Sequence, residues 1–228
     1  MSVLLIAATA AAAFYAWNRL GQPGRRPKPG TPGASALARA QELRTPLVRL
    51  ATALNIPTQA AKLADRYEAG ANGERYVAGH LAPLQKEGWT LLPDRGFPYG
   101  DANVDMLAIS PRGTVYVLDA KKWAARYQLR VKDGRLWHGK RDVTDWLGGL
   151  HYATRTVGRL LSVQPVPVVV MVGPLRRGVQ LRVEGIRIIP AEDVCDALRT
   201  LDLQQLRRQR GPYFIDFAAR VLPPYTER

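Results

Sequence analysis

Residues 103–123, NVDMLAISPRGTVYVLDAKKW, hold two runs rich in Val, Ile, Leu and Tyr on either side of Ser-Pro-Arg-Gly, and no other stretch limits the fold as tightly. Pro111 suits the first central position of a type I turn and Gly113 the left-handed position after it, so the runs form a β-hairpin closed by a three-residue loop. With Ser110 opposite Thr114, counting back in step sets Asp105 across from Asp119 and Asn103 across from Lys121. Residues directly opposite project from one face with Cβ atoms ~5 Å apart, and residues two apart on a strand share that face. Asp105, Asp119 and Lys121 therefore converge at the open end of the hairpin. The other face, Val104, Met106, Ala108, Tyr116, Leu118 and Ala120, is apolar throughout and calls for burial.

Two facing carboxylates beside apolar neighbours repel unless positive charge lies between them. A divalent cation and the Lys121 ammonium are the two available sources. The structural alternative is a solvated hairpin end with a surface Asp–Lys ion pair, which contributes little. A further acid comes from Asn72-Gly73-Glu74, expected to open a helix whose buried face carries Val77, Ala78, Leu81 and Leu84. Glu74 falls on that face, either as a first-turn residue favoured by the helix dipole or as a third member of the acidic set.

The remaining segments read as support. Residues 1–17 carry no charge and are almost wholly apolar, and Arg19, Arg25, Arg26 and Lys28 follow, a pattern expected of a short membrane anchor with the rest of the chain on the cytoplasmic side. Gly and Pro dominate residues 21–33, expected as an extended basic spacer. Helical spacing with a break at Pro46 follows, then a helix capped by Thr58 and running to Tyr67. Short strands are expected at 89–92, 127–132 and 135–138, the last two joined at Asp133-Gly134, and a buried strand at 166–172. Residues 146–161 and 191–201 have helical spacing, and 186–189 is a further strand. His151 on the first of these helices is open to a phosphate-contacting or a structural role. The expected division is an anchor at 1–20, linker at 21–33, accessory helices at 34–67, one α/β domain at 68–205 and a basic, aromatic tail at 206–228. A net charge of +14 points to an anionic partner, nucleic acid or an acidic lipid surface, and the single Cys195 excludes an intramolecular disulfide and a Cys-based zinc site.

Gly70-Ala-Asn-Gly-Glu74, Asn103-Val-Asp105 and Asp119-Ala-Lys121-Lys122-Trp123 together resemble, in order and spacing, the motifs of NERD, the nuclease-related domain of the PD-(D/E)xK nuclease superfamily. The resemblance implies a restriction-endonuclease-like α/β core, a mixed central sheet flanked by helices. It implies cleavage of phosphodiester bonds, DNA foremost, with Asp105, Asp119, the Ala120 carbonyl and Glu74 around Mg²⁺ or Mn²⁺ and Lys121 acting on the water or the developing charge. Lys122, Arg126, Arg130, Arg155 and Arg159 are the expected backbone-holding cations. Two features differ from the family pattern: Ala124-Ala125 where Gly often follows the Trp, and no Gln in Leu147-Gly-Gly-Leu-His151. The second of these favours the alternative of a catalytically inactive, membrane-tethered binding or scaffold module.

Overall fold

A computed structural model describes residues 26–205 and 212–225. The expected anchor and the first part of the linker lie outside the described residues, and among those described no helix is long and apolar enough to cross a membrane.

Three helices come first: α1 (Ala34–Leu43), α2 (Pro46–Ala53), started by Thr45 and Pro46, and α3 (Gln59–Lys86), capped by Thr58. The expected break between Tyr67 and Asn72 does not occur, and α3 runs unbroken for 28 residues through Gly70 and Gly73, across the expected boundary at 67/68. Gly73 is there for contact rather than for a turn. A Cβ on it would lie 3.1 Å from the Lys122 Cβ, so the missing side chain lets the helix approach the sheet.

The sheet strands are β1 (Thr90–Gly96), β2 (Asn103–Ile109), β3 (Val115–Lys122), β7 (Val166–Val172), β8 (Leu181–Val183) and β9 (Ile186–Pro190), in the order β1-β2-β3-β7-β9-β8. β1 to β3 are antiparallel neighbours, β3, β7 and β9 are parallel, and β8 returns antiparallel on β9, which makes the sheet mixed with the hairpin strands inside it. β1 extends four residues past the expected Leu92, because Pro93 is tolerated on an edge strand. β4 (Leu129–Lys132), β5 (Arg135–His138) and β6 (Arg141–Asp142) form a separate small sheet, with Asp133 and Gly134 at positive φ in the expected turn.

Period-two alternation sends the two faces of the hairpin to two cores. Met106, Ala108, Tyr116 and Leu118 pack with Val77, Leu81 and Leu84 of α3 and with Val194, Leu198 and Leu201 of α5 (Val194–Leu203). Leu107, Ile109, Val115 and Val117 pack with Leu150, Val157 and Leu161 of α4 (Gly148–Leu161) and with Ala218 of α6 (Pro212–Val221). Val104 departs from the expected alternation and joins the second core. β2 changes its relation to both neighbours at Asp105, the residue missing from its pairing with β1. The tail folds back as expected: the Arg95 side chain donates to the carbonyl oxygens of Leu222 and Ala219.

Candidate functional site

The predicted three-residue loop is present. Gly113 has φ 85°, its N–H donates to the Ser110 carbonyl at 2.9 Å, and the Ser110 N–H donates to the Thr114 carbonyl at 2.9 Å. The ladder then runs from Ile109 opposite Val115 to Met106 opposite Leu118, the expected register, and stops. β3 continues with β7 alone, from Asp119 opposite Val169 to Lys122 opposite Val172. The strands part where Asp105 turns its side chain across the gap, so that Oδ2 accepts the Ala120 N–H at 2.9 Å. In an extended strand the N–H and C=O of one residue lie on the same edge. The Ala120 carbonyl therefore faces the opening that holds Asp105.

Lys121 Nζ lies 2.8 Å from Asp119 Oδ1. Asp119 Oδ2 is buried and, among the described residues, has no hydrogen-bond partner. Glu74 comes from the middle of α3, and its Oε2 accepts the Gly33 N–H at 3.0 Å. A fourth acid was not anticipated: Asp94, fully buried with φ 49°, sits where the β1–β2 count would place a partner for Asp105. Its oxygens accept the Ser35 N–H at 2.6 Å and an Asn103 Nδ2 hydrogen at 2.9 Å.

The start of α1 thus supplies two backbone donors to the acidic cluster, where unpaired amides and the positive end of the helix dipole favour carboxylates. The approach depends on Gly33, at φ 76°: a Cβ there would fall 2.7 Å from the Ala71 Cα. The last residues of the expected spacer are therefore docked on α3, beside the acids.

These residues form one side of a cleft of about 800 Å³. Glu74, Asp105, Asp119 and Ala120 line it together with Lys121 and Lys122. Arg39, Arg66 and Tyr67 of the helices line it too, as do Trp123, Arg141 and Trp146. Among the expected binding cations, only Lys122 lines this cleft. Arg126 and Arg130 are exposed nearby in sequence, Arg126 over the Tyr127 ring, while Arg155 and Arg159 border a separate hollow on α4. Arg39, Arg66 and Arg141 were not picked out from the sequence; they lie on three separate elements. His151 is held by Glu184, Nε2 to Oε2 at 3.0 Å, and does not line the cleft.

Burial and the neighbouring Asp119 carboxylate push the Asp105 carboxyl up to about 7, against the pull of Lys121. Burial, then Asp105 and Asp94, push Glu74 up to about 9, partly offset by the Gly33 amide. Burial alone would lower Lys121, but Asp119 and Asp105 outweigh it and the ammonium is held above its ordinary range. For both acids the folded pKa lies above the unfolded value, so the folded state retains protons that the unfolded chain releases. Their contribution to stability is present below pH ~4 and is lost as pH rises through 7 to 9. Without divalent cations the melting temperature is expected to fall as the pH rises from 5 to 9. Glu74→Gln should flatten that fall in a thermal-shift series, and an unchanged slope would show that Glu74 does not titrate there.

Among the described residues no group of three or more His, Cys, Asp or Glu side chains is arranged to hold a metal ion. Two carboxylates and a carbonyl fit a hard cation that needs few protein oxygens. Asp119 Oδ2, without a partner among the described residues, the Asp105 carboxylate and the Ala120 carbonyl offer oxygen atoms on one opening, and Mg²⁺ keeps several waters when few protein oxygens are offered.

Residues 69–172 match the family model of the nuclease-related domain, NERD. This segment is a NERD domain. It belongs to the PD-(D/E)xK kind, as the resemblance of its motifs implied, and Glu74, Asp105, Asp119 and Lys121 all lie within the match. The NERD domain begins within α3 and ends with β7, so Gly33, which donates to Glu74, and α1, whose Ser35 donates to Asp94, lie outside it. No curated protein and no solved structure gives a significant match to the chain.

Proposed function

We propose that the NERD domain is a metal-dependent nuclease that cleaves phosphodiester bonds of nucleic acid, DNA foremost, without strong sequence specificity. The observation that carries this reading is the buried, partnerless Asp119 Oδ2 beside Asp105, with the Lys121 ammonium 2.8 Å from the other Asp119 oxygen. Asp105, Asp119 and the Ala120 carbonyl would hold Mg²⁺ or Mn²⁺, with Glu74 completing or adjusting the acidic set. A bound cation of this kind supplies a more acidic water and offsets charge on the phosphoryl oxygens.

The chain's own residues do the rest. Lys121, kept protonated by its two aspartates, orients the attacking water or steadies the negative charge that grows on the phosphate. The Ala120 N–H fixes the Asp105 carboxylate in the gap between β2 and β3. Arg66, Lys122 and Arg141 on the walls meet the sugar-phosphate backbone, which carries no base identity, and Arg126 and Arg130 extend that basic surface. We place the domain at the cytoplasmic side of a membrane, on the uncharged run at 1–17 and the cations after it. Protease added outside the cell should leave the domain intact, and its digestion there would refute the placement.

The inactive scaffold remains the second reading because α4 opens with Gly148-Gly149 and presents no Gln beside the acids. Incubating the full-length protein with end-labelled DNA and RNA in Mg²⁺, Mn²⁺ or EDTA decides between them. Shorter products with either cation and none in EDTA are expected, and no cleavage by a folded protein in any ion selects the scaffold. The chain tested must retain Gly33, since removing it takes away a donor to Glu74.

A further inference from the structure

An exposed tryptophan facing a basic cleft has no use in the core, and Trp146 is 44% exposed while lining the cleft. Its outward position is built in. Residues Thr144–Leu147 form a 3₁₀ turn in which Leu147 is buried and Trp146 faces the cleft. The turn is tied down at Thr144: its Oγ1 accepts the Leu136 N–H at 2.9 Å and donates to Asp142 Oδ1 at 2.7 Å. Trp123 meets Trp146 edge to face at 5.0 Å, and the Arg141 guanidinium lies over the Trp146 ring, 5.3 Å from its centre. A ring fixed in this way loses little freedom when a base takes the place of the guanidinium on its face, and the displaced cation suits the adjoining phosphate. Aromatic platforms next to positive charge are how proteins hold single strands whose bases are free to stack.

The size of the cleft points the same way. About 800 Å³ is the volume of a pocket for a drug-sized molecule, room for a nucleotide or two of a single strand. Bases paired and stacked within a duplex present no face to Trp146.

We propose that the cleft takes unpaired nucleotides, at single-stranded stretches or frayed ends, and that Trp146 is the stacking platform that seats a base beside the acidic cluster. Trp146 is a specificity-determining residue, and Arg141 holds the adjoining phosphate. The proposal rests on the nuclease reading for what the cleft is for, and on binding alone for its test.

The test uses the purified full-length protein in EDTA, so that binding is read without cleavage. Fluorescence anisotropy with a labelled oligothymidylate, and with a duplex of equal length, is expected to show the single strand bound about tenfold more tightly. Oligothymidylate should also quench the protein's tryptophan emission. Trp146→Leu keeps an apolar contact for Trp123 but offers no aromatic face; it should lower single-strand affinity by about tenfold and remove part of the quenching, with duplex affinity unchanged. Trp146→Phe should restore most of the affinity, which a merely structural role would not require. Should Trp146→Leu fail to fold, Trp146→Phe and Trp146→Tyr carry the test, through loss of the Trp146 share of the quenching with single-strand preference retained. Equal or tighter duplex binding by the wild type, or quenching and affinity indifferent to residue 146, overturns the proposal. Selective single-strand binding without cleavage in Mg²⁺ or Mn²⁺ would remove the catalytic reading and leave this one standing, and duplex cutting indifferent to Trp146→Leu would do the reverse.

Discussion

Asp119→Asn is expected to lower both divalent-cation affinity and cleavage by about 100-fold or more, while the metal-free protein stays as stable as the parent or becomes more stable. One Asp119 oxygen holds Lys121 and the other is buried without a partner among the described residues, so the side chain stabilises the resting fold less than its position suggests. Its charge also works against Asp105 and Glu74, both held toward their protonated forms in part by it. Asparagine keeps an oxygen for Lys121 and removes the repulsion. Lys121→Ala should behave in the opposite way, losing metal-free stability because Asp105 and Asp119 lose their neutralising charge, yet keeping cation affinity and losing turnover. Thermal-shift titration with Mg²⁺ or Mn²⁺ separates the variants. If Asp119→Asn is destabilised without cation and its cation-induced shift equals that of the parent, the two aspartates are structural and the assigned site is wrong.

Deleting Arg112 should abolish cation binding and cleavage and lower the melting temperature by more than any single side-chain change in the site. The loop between β2 and β3 sets the register, and removing one residue slips the pairing by one, which turns every side chain of one strand to the other face. Leu107 and Ile109 would exchange cores with Met106 and Ala108, and Asp105 would leave Asp119. Arg112 also donates to the Gln205 carbonyl at 3.3 Å and lies 3.9 Å from Asp202, so the deletion needs a control. Arg112→Ala removes those contacts with the loop length intact and should keep cation binding and cleavage. A deletion variant that melts and cuts like the parent would show that the loop does not fix the pairing.

The hairpin was legible because its two determinants are local: Pro111 and Gly113 choose the loop, and a period of two carries the register to Asp105 and Asp119. Where the determinants are distant, the reading went astray. Asn72-Gly73 suggested the start of a new helix, but Gly73 serves the contact with Lys122, which no window along the sequence contains. Asp94 was hidden behind Pro93, which marked the end of a strand instead of an edge strand's tolerated proline. Applying to β1 and β2 the same cross-strand counting would have set it against Asp105. The Gly33 and Ser35 amides reach acids 41 and 59 residues away, and nothing in a Gly/Pro-rich segment announces such a partner. β8 is three residues long, and its only signal was Glu184-Gly185 at positive φ before β9.

The Ala120 N–H is the one backbone donor on β3 that the structure ties to the Asp105 side chain. An amide bound to a carboxylate senses that carboxylate's charge and company directly, so in a ¹⁵N-resolved spectrum this single resonance should move when a cation enters the gap, well before any substrate is cut. Its hydrogen should also exchange with solvent on a schedule of its own, set by how often Asp105 lets go, while the amides of Val117 and Leu118 follow the opening of the whole sheet. The protein thereby carries an internal gauge of its acidic site, readable in the resting state without a label.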